Sequence, residues 1–232
     1  IYYKIVSRLN SLLESQDYHY NYTPSQLVSK IDIFPLMVRG EILYYLGAFL
    51  NHNLYFSNIS NRGNIMPVGK IKRYIERDFT TYASFKEKFI ASSMNLVGSG
   101  YTFLVLDNGK LKIINTSNED TPYSYKFTPV ICLDLWEHAY FLEYKNNKLG
   151  YINNFFQIID FPVCAEFVGQ PALAAVCRQN RGIQFRSQQA PCAAREKCRM
   201  FGILLGTRHS SRGALCIMPC HRNDFRTVCK CT

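Results

Sequence analysis

Apolar positions recur along the chain with two different periods, and the switch between them divides it. Ile1, Ile5, Leu9, Leu12 and Leu13 stand at helical spacing, which predicts a helix from Ile1 to Glu14. A polar and aromatic stretch from Ser15 to Thr23 follows as a loop. Thr23-Pro24-Ser25 then signals a helix start, because Pro fits the first turn, where no N–H partner is needed. The pattern predicts a short helix over Gln26–Phe34 and a long one over Pro35–Phe56. Together with the first helix these make a helical hairpin. Pro67-Val68-Gly69 interrupts the pattern. Lys70–Asp78 and Ser84–Val97 read as amphipathic helices whose lysines and glutamates form a solvated face. After Gly98-Ser99-Gly100 the period changes to that of strands: Tyr101–Leu106, Leu111–Thr116 and Val130–Leu133. Asp107-Asn108-Gly109 marks a hairpin between the first two. Trp136–Lys145 and Leu149–Phe161 return to helix. The fold class expected is α+β: a helical hairpin over residues 1–62, then an α/β unit with a three-stranded antiparallel sheet over 63–161.

Composition changes that picture at one place. The chain has 232 residues, 47% of them hydrophobic and 19% charged, ordinary for a globular protein. Residues 1–161 carry 16 Lys and Arg against 14 Asp and Glu, whereas residues 162–232 carry 11 against 3. Eight of the nine cysteines lie from Cys164 onward, while all 16 tyrosines and the one Trp lie before residue 162. The last 71 residues therefore read as a different kind of sequence: basic, Cys-rich, poor in periodicity and without a stable fold. Cys216, Cys220 and His221 with Cys229 and Cys231 suggest a zinc site, but the spacing fits no standard pattern, and Cys192, Cys198 and His209 add none. Nine arginines there suggest a nucleic-acid arm, against which stands the lack of interleaved aromatics. An extension foreign to the rest, such as a frameshift or joined fragment, fits best. No apolar run reaches the ~18 residues of a membrane span, and a cytoplasmic location is expected. The first residue is Ile, so the natural N-terminus, with any targeting segment, is expected to lie upstream.

Chemistry concentrates in Asp134-Leu135-Trp136-Glu137-His138-Ala139-Tyr140, at the junction of the third strand and a helix. A carboxylate and an imidazole four residues apart can face one point, and both ligate divalent first-row metals. On spacing alone, a capping Asp followed by a core His explains the pair better than a metal site does. His52 alone reads as a packed helix residue, His19 as a surface or packing residue, and Glu119 as a loop carboxylate.

The whole heptapeptide, however, closely resembles the Asp-x-Trp-Glu-His-Ala-Tyr signature of the iron/manganese superoxide dismutases. Three further stretches resemble that family in the right order. Asn51-His52-Asn53-Leu54-Tyr55-Phe56 is similar to Asn-His-x-x-Phe-Trp, with Phe56 for the Trp. Gly98-Ser99-Gly100-Tyr101-Thr102-Phe103-Leu104-Val105 is similar to Gly-Ser-Gly-Trp-x-Trp-Leu-Val, with Tyr101 and Phe103 for two tryptophans. Asn118-Glu119-Asp120-Thr121-Pro122 is similar to Asn-Gln-Asp-x-Pro of the manganese type.

The resemblance implies the same hairpin-plus-sheet layout over residues 1–161 and one iron or manganese ion per chain. That ion cycles between +3 and +2 while superoxide becomes dioxygen and hydrogen peroxide. It implies His52, Asp134 and His138 as metal ligands, with a further ligand His four residues upstream of Ile1. It puts Glu119 at the position of an outer Gln that bonds metal-bound solvent; the iron-type alternative falls on Ala48. Trp136 joins the wall of the site. Glu137 reaches across a homodimer to the partner's ligand His. The gateway Tyr falls on Ile5, and a His–Tyr pair across the dimer falls on Ile1 and Phe141. With those positions altered, a non-catalytic relic of the fold, acting as a structural or binding protein, is the alternative.

Overall fold

The computed structural model describes residues 2–17, 22–61, 63 and 65–168. The basic Cys-rich stretch from residue 169 on lies outside the described residues, as do Ile1 and His19; the expectations placed on them therefore stay with the sequence.

Helix α1 (Tyr2–Ser15) buries Ile5, Leu9, Leu12 and Leu13, the stripe its spacing predicts. Helix α2 (Pro24–Ser29) is shorter than the expected span. Thr23 accepts from the Gln26 N–H while the Gln26 side chain accepts from the Thr23 N–H, closing a capping box. A 3-10 turn at Ile31–Ile33 takes up the rest. Helix α3 (Leu36–Asn58) runs 23 residues, about 34 Å. The part of it before Asn51 packs against α1 and α2 through Ile42, Leu46, Phe49 and Leu50. Its last turns, with Leu54 and Tyr55, belong to a second core built around the sheet.

That second core takes Ile71 and Ile75 of α4 (Gly69–Phe79) and Phe85 and Phe89 of α5 (Tyr82–Asn95). The sheet is antiparallel with order β2-β1-β3, from β1 (Gly100–Asp107), β2 (Lys110–Ser117) and β3 (Thr128–Asp134). Asn108 and Gly109 turn β1 into β2 with φ of 45° and 82°, the left-handed pair that a two-residue hairpin demands. Central β1 is buried almost throughout, as the apolar run Phe103-Leu104-Val105 foretells. Helices α6 (Glu137–Tyr144), α7 (Lys148–Ile158) and α8 (Phe161–Ala165) complete the fold.

The change in composition at residue 161 is not where the packed structure ends. Asp160 accepts from the Val163 N–H and starts α8, with Pro162 in its first turn. Phe161, Cys164, Phe167 and Val168 are all buried in the sheet core. The expected boundary therefore falls too early by at least seven residues. Net charge and cysteine content mark that stretch as foreign, but its Phe-x-x-Cys-x-x-Phe-Val spacing is an apolar helical stripe. Among the described residues, no helix is long and apolar enough to cross a membrane.

Candidate metal centre

Three different elements bring the candidate ligands together. His52 lies on α3, Asp134 ends β3, and His138 is the second residue of α6. Asn58 holds helix and strand in register: its Nδ2 donates to the Val130 carbonyl at 3.2 Å, and its Oδ1 accepts from the Cys132 N–H at 2.9 Å. Strand β3 thus lies along the last turns of the helix that carries His52.

Asp134 is 2% exposed. It does not begin the helix, as a cap would; α6 starts three residues later, and Trp136 takes the cap position. Asp134 Oδ1 instead accepts from the Trp136 N–H at 2.9 Å, which fixes the turn out of β3. Its backbone carbonyl accepts from the Tyr151 hydroxyl at 2.8 Å, and Tyr151 in turn pairs with the Tyr55 hydroxyl at 3.1 Å. Both ends of the residue are anchored, and Oδ2 is left pointing at the histidines. His138 Nε2 lies 3.3 Å from it, and His52 Nε2 lies 3.8 Å from it. The three donor atoms all lie within 4.8 Å of one another. Ligands about 2.1 Å from one ion and 90–120° apart stand about 3.0–3.6 Å from each other. The His138–Asp134 pair at 3.3 Å lies in that range, and the His52–Asp134 pair at 3.8 Å is slightly wider.

The protonation of His52 follows from its neighbours. Nδ1 lies 2.6 Å from the Ala48 carbonyl, and a carbonyl only accepts, so Nδ1 carries the proton. Burial lowers the His52 pKa, opposed chiefly by the Asp134 charge, so the ring is neutral near pH 7. Nε2 then presents a bare lone pair. It is buried and has no hydrogen-bond partner among the described residues. A buried acceptor left this way costs about 1–3 kcal/mol, and a cation between it and Asp134 removes that cost. The donor set and the orphaned atom therefore fit a metal ion. The His52 and His138 rings stack, with centroids 5.6 Å apart and planes at 12°, and Trp136 stacks on the outer face of His138 at 5.7 Å.

Glu119 sits beside this cluster and is 6% exposed. Its backbone is gripped by α3: Asn51 Nδ2 donates to the carbonyls of Glu119 at 3.4 Å and Asp120 at 3.1 Å. Gly47 lies so close that a Cβ there would stand 1.8 Å from the Glu119 carbonyl oxygen. Its carboxylate accepts from the Tyr101 hydroxyl at 2.8 Å. Burial raises the Glu119 pKa to about 7; the Asp134 charge adds to the rise, while the Tyr101 hydrogen bond and His138 oppose it.

The remaining expected residues are placed as follows. Trp136 is partly buried, with its indole N–H donating to the Asn118 carbonyl at 3.3 Å. Glu137 is exposed at the start of α6. Ile5 and Ala48 are buried in the hairpin core, and Phe141 is 47% exposed.

Comparison with known proteins decides the family. The profile described as iron/manganese superoxide dismutases, C-terminal domain, matches residues 67–167. A superoxide dismutase [Mn] of Listeria ivanovii is 38% identical over 156 residues, which is 67% of this chain and 77% of the relative. Superoxide dismutases [Mn] of Thermus thermophilus and Thermus aquaticus are 32% and 33% identical over 163 and 162 residues, covering 80% and 79% of their own lengths.

The chain belongs to the iron/manganese superoxide dismutase family. The match to the family's C-terminal domain reaches residue 167 and so includes α8, in agreement with the packing of Phe161, Cys164 and Phe167. Three supporting roles were not legible from the family motifs alone. Tyr151 and Tyr55 lock the Asp134 backbone; Tyr151 reads in the sequence only as a position in the last helix, and Tyr55 only as the residue at the Phe position of the Asn-His motif. Asn51 stands inside the Asn-His motif, yet its grip on the Glu119 loop shows only in three dimensions. Tyr101 reads as a replaced Trp in an aromatic wall; that its hydroxyl holds Glu119 depends on the loop's path.

Proposed function

We propose that His52, Asp134 and His138 hold a redox metal ion with which the chain, as a superoxide dismutase, converts superoxide to dioxygen and hydrogen peroxide. The observation that carries the site is the buried Nε2 of His52, without a hydrogen-bond partner among the described residues and facing Asp134 and His138. Iron or manganese bound there supplies a couple between +3 and +2 at neutral pH. The protein's own residues do the rest. The Ala48 carbonyl fixes the His52 tautomer so that Nε2 is an acceptor. Asp134 contributes the anionic ligand, which favours the more highly charged metal state, and its two anchors hold Oδ2 in place. Tyr101 stands edge-on to His52 and Trp136 stacks on His138, so the two rings restrict water on those sides of the site. Because the Listeria and Thermus relatives are named for manganese, manganese is the first ion to test.

We further propose a homodimer through the face of α6. Glu137 and Phe141 lie one helical turn apart, and Phe141 and Leu142 are 47% and 70% exposed. Apolar surface of that size next to the exposed Glu137 carboxylate suits an isologous contact. The two hydrophobic clusters support a division into a hairpin unit over residues 1–62 and a sheet unit that runs on at least to Val168.

The test is to load the chain with Mn(II) or Fe(II), count metal per chain, and follow superoxide decay against His138→Ala. Metal and activity both vanish in the variant while its circular dichroism stays helical. A variant that keeps its metal overturns the assignment.

A further inference from the structure

Tyr101 and Asp134 face each other across the sheet. They are Cα partners on antiparallel β1 and β3, so their side chains rise from the same face about 5 Å apart at Cβ. The Tyr101 ring also stands edge-on to the His52 ring, with centroids 6.2 Å apart. Tyr101 therefore touches the environment of two of the three candidate ligands. Its hydroxyl, however, goes to neither. It donates to Glu119 Oε2 at 2.8 Å.

Glu119 is fixed very differently at its two ends. Its backbone cannot move far, because Gly47 and Asn51 of α3 hold the peptide closely. Among the described residues its carboxylate has one hydrogen-bond partner, Tyr101. The group is buried beside the cluster and feels the charges of Asp134 and His138. A carboxylate at that place is a good ligand for any cation that His52, Asp134 and His138 attract. A fully charged metal pulls on it, and a hydrogen bond from a buried tyrosine opposes the pull.

We propose that Tyr101 is a positioning residue that tethers the Glu119 carboxylate outside the inner coordination shell and so keeps a coordination position open for substrate. The inference rests on the metal-site reading above. The tether is specific in its chemistry. A Tyr hydroxyl at the edge of the site donates to a carboxylate, whereas a Phe there fills the same space and holds nothing. Freed from it, the carboxylate moves toward the ion, adds a ligand and closes the position that substrate needs.

The test uses the full chain and Co(II), whose visible bands weaken and shift as its coordination number rises. Four proteins are compared: the parent, Tyr101→Phe, Glu119→Gln, and the double variant. The inference predicts weaker, shifted bands and tighter Co(II) binding in Tyr101→Phe. It predicts bands close to the parent's in Glu119→Gln, and a return to them in the double variant, because the carboxylate that moved is gone. Thermal melts on the metal-free proteins confirm that all four are folded. Identical spectra in the parent and Tyr101→Phe overturn the inference, as does a spectral change that persists in the double variant. A folded parent that binds no Co(II) overturns the metal-site reading itself, and the tether with it.

Discussion

His52 shows how much a single residue's surroundings decide. Helical spacing in the sequence explains its place on α3 but not its protonation. The Ala48 carbonyl one turn earlier settles which nitrogen carries the proton, and burial settles that only one does. Asp134 and His138 stood out as candidate ligands because they lie four residues apart inside a seven-residue signature. Tyr151, which holds the Asp134 carbonyl, was not: it is 17 residues away, and a hydrogen bond to a backbone atom leaves no pattern in the sequence. Glu119 gives a prediction at this scale. Its folded pKa, about 7, exceeds the ordinary 4.5, so the folded state binds the proton more tightly than the unfolded chain. The stabilisation is complete below the unfolded value and is lost as pH rises through the folded one. In metal-free protein, Glu119→Gln should therefore gain on the parent by on the order of 3 kcal/mol between about pH 4 and about pH 8, read by urea melts. A difference that does not change with pH contradicts this account of its burial.

At the scale of elements, α3 does most to assemble the site. It carries His52, grips the Glu119 loop through Asn51 and Gly47, and fixes β3 through Asn58. The sequence showed this helix clearly and nearly to its ends, because apolar residues recur along more than five turns. It did not show why residue 47 is Gly, since a glycine inside a long helix reads only as a weak point. The close approach of the Glu119 carbonyl gives the reason. Gly47→Ala should destabilise the protein by about 1–3 kcal/mol, because the clash is with backbone and cannot be relieved by a rotamer change. Thermal unfolding checks it, and an unchanged midpoint would show that α3 and the loop are less tightly joined than they stand here. Removing the amide in Asn51→Leu should loosen the same loop without a clash, seen as faster amide exchange at Glu119 and Asp120.

At the scale of the molecule, the hairpin and the antiparallel sheet were legible because strands and helices differ in period, and Asn108-Gly109 announces its own turn. The end of the fold was not. Charge and cysteine content shift at residue 161, whereas packing ends no earlier than Val168, and only the spacing of Phe161, Cys164 and Phe167 records it. A chain cut after Phe161 should therefore lose several kcal/mol relative to one cut after Val168, given ~3–5 kcal/mol for a deleted core Phe. Equal melting temperatures for the two chains would mean that α8 contributes nothing to the core.

The central claim is that three side chains from three elements converge on one metal ion, and its most direct test is metal content. The full chain, expressed in manganese-supplemented medium, should carry about one ion per molecule, and His52→Ala purified in parallel should carry almost none. His52 is the decisive position because its Nε2 has no other partner among the described residues. A His52→Ala protein with the parent's helicity and the parent's metal content would contradict the account.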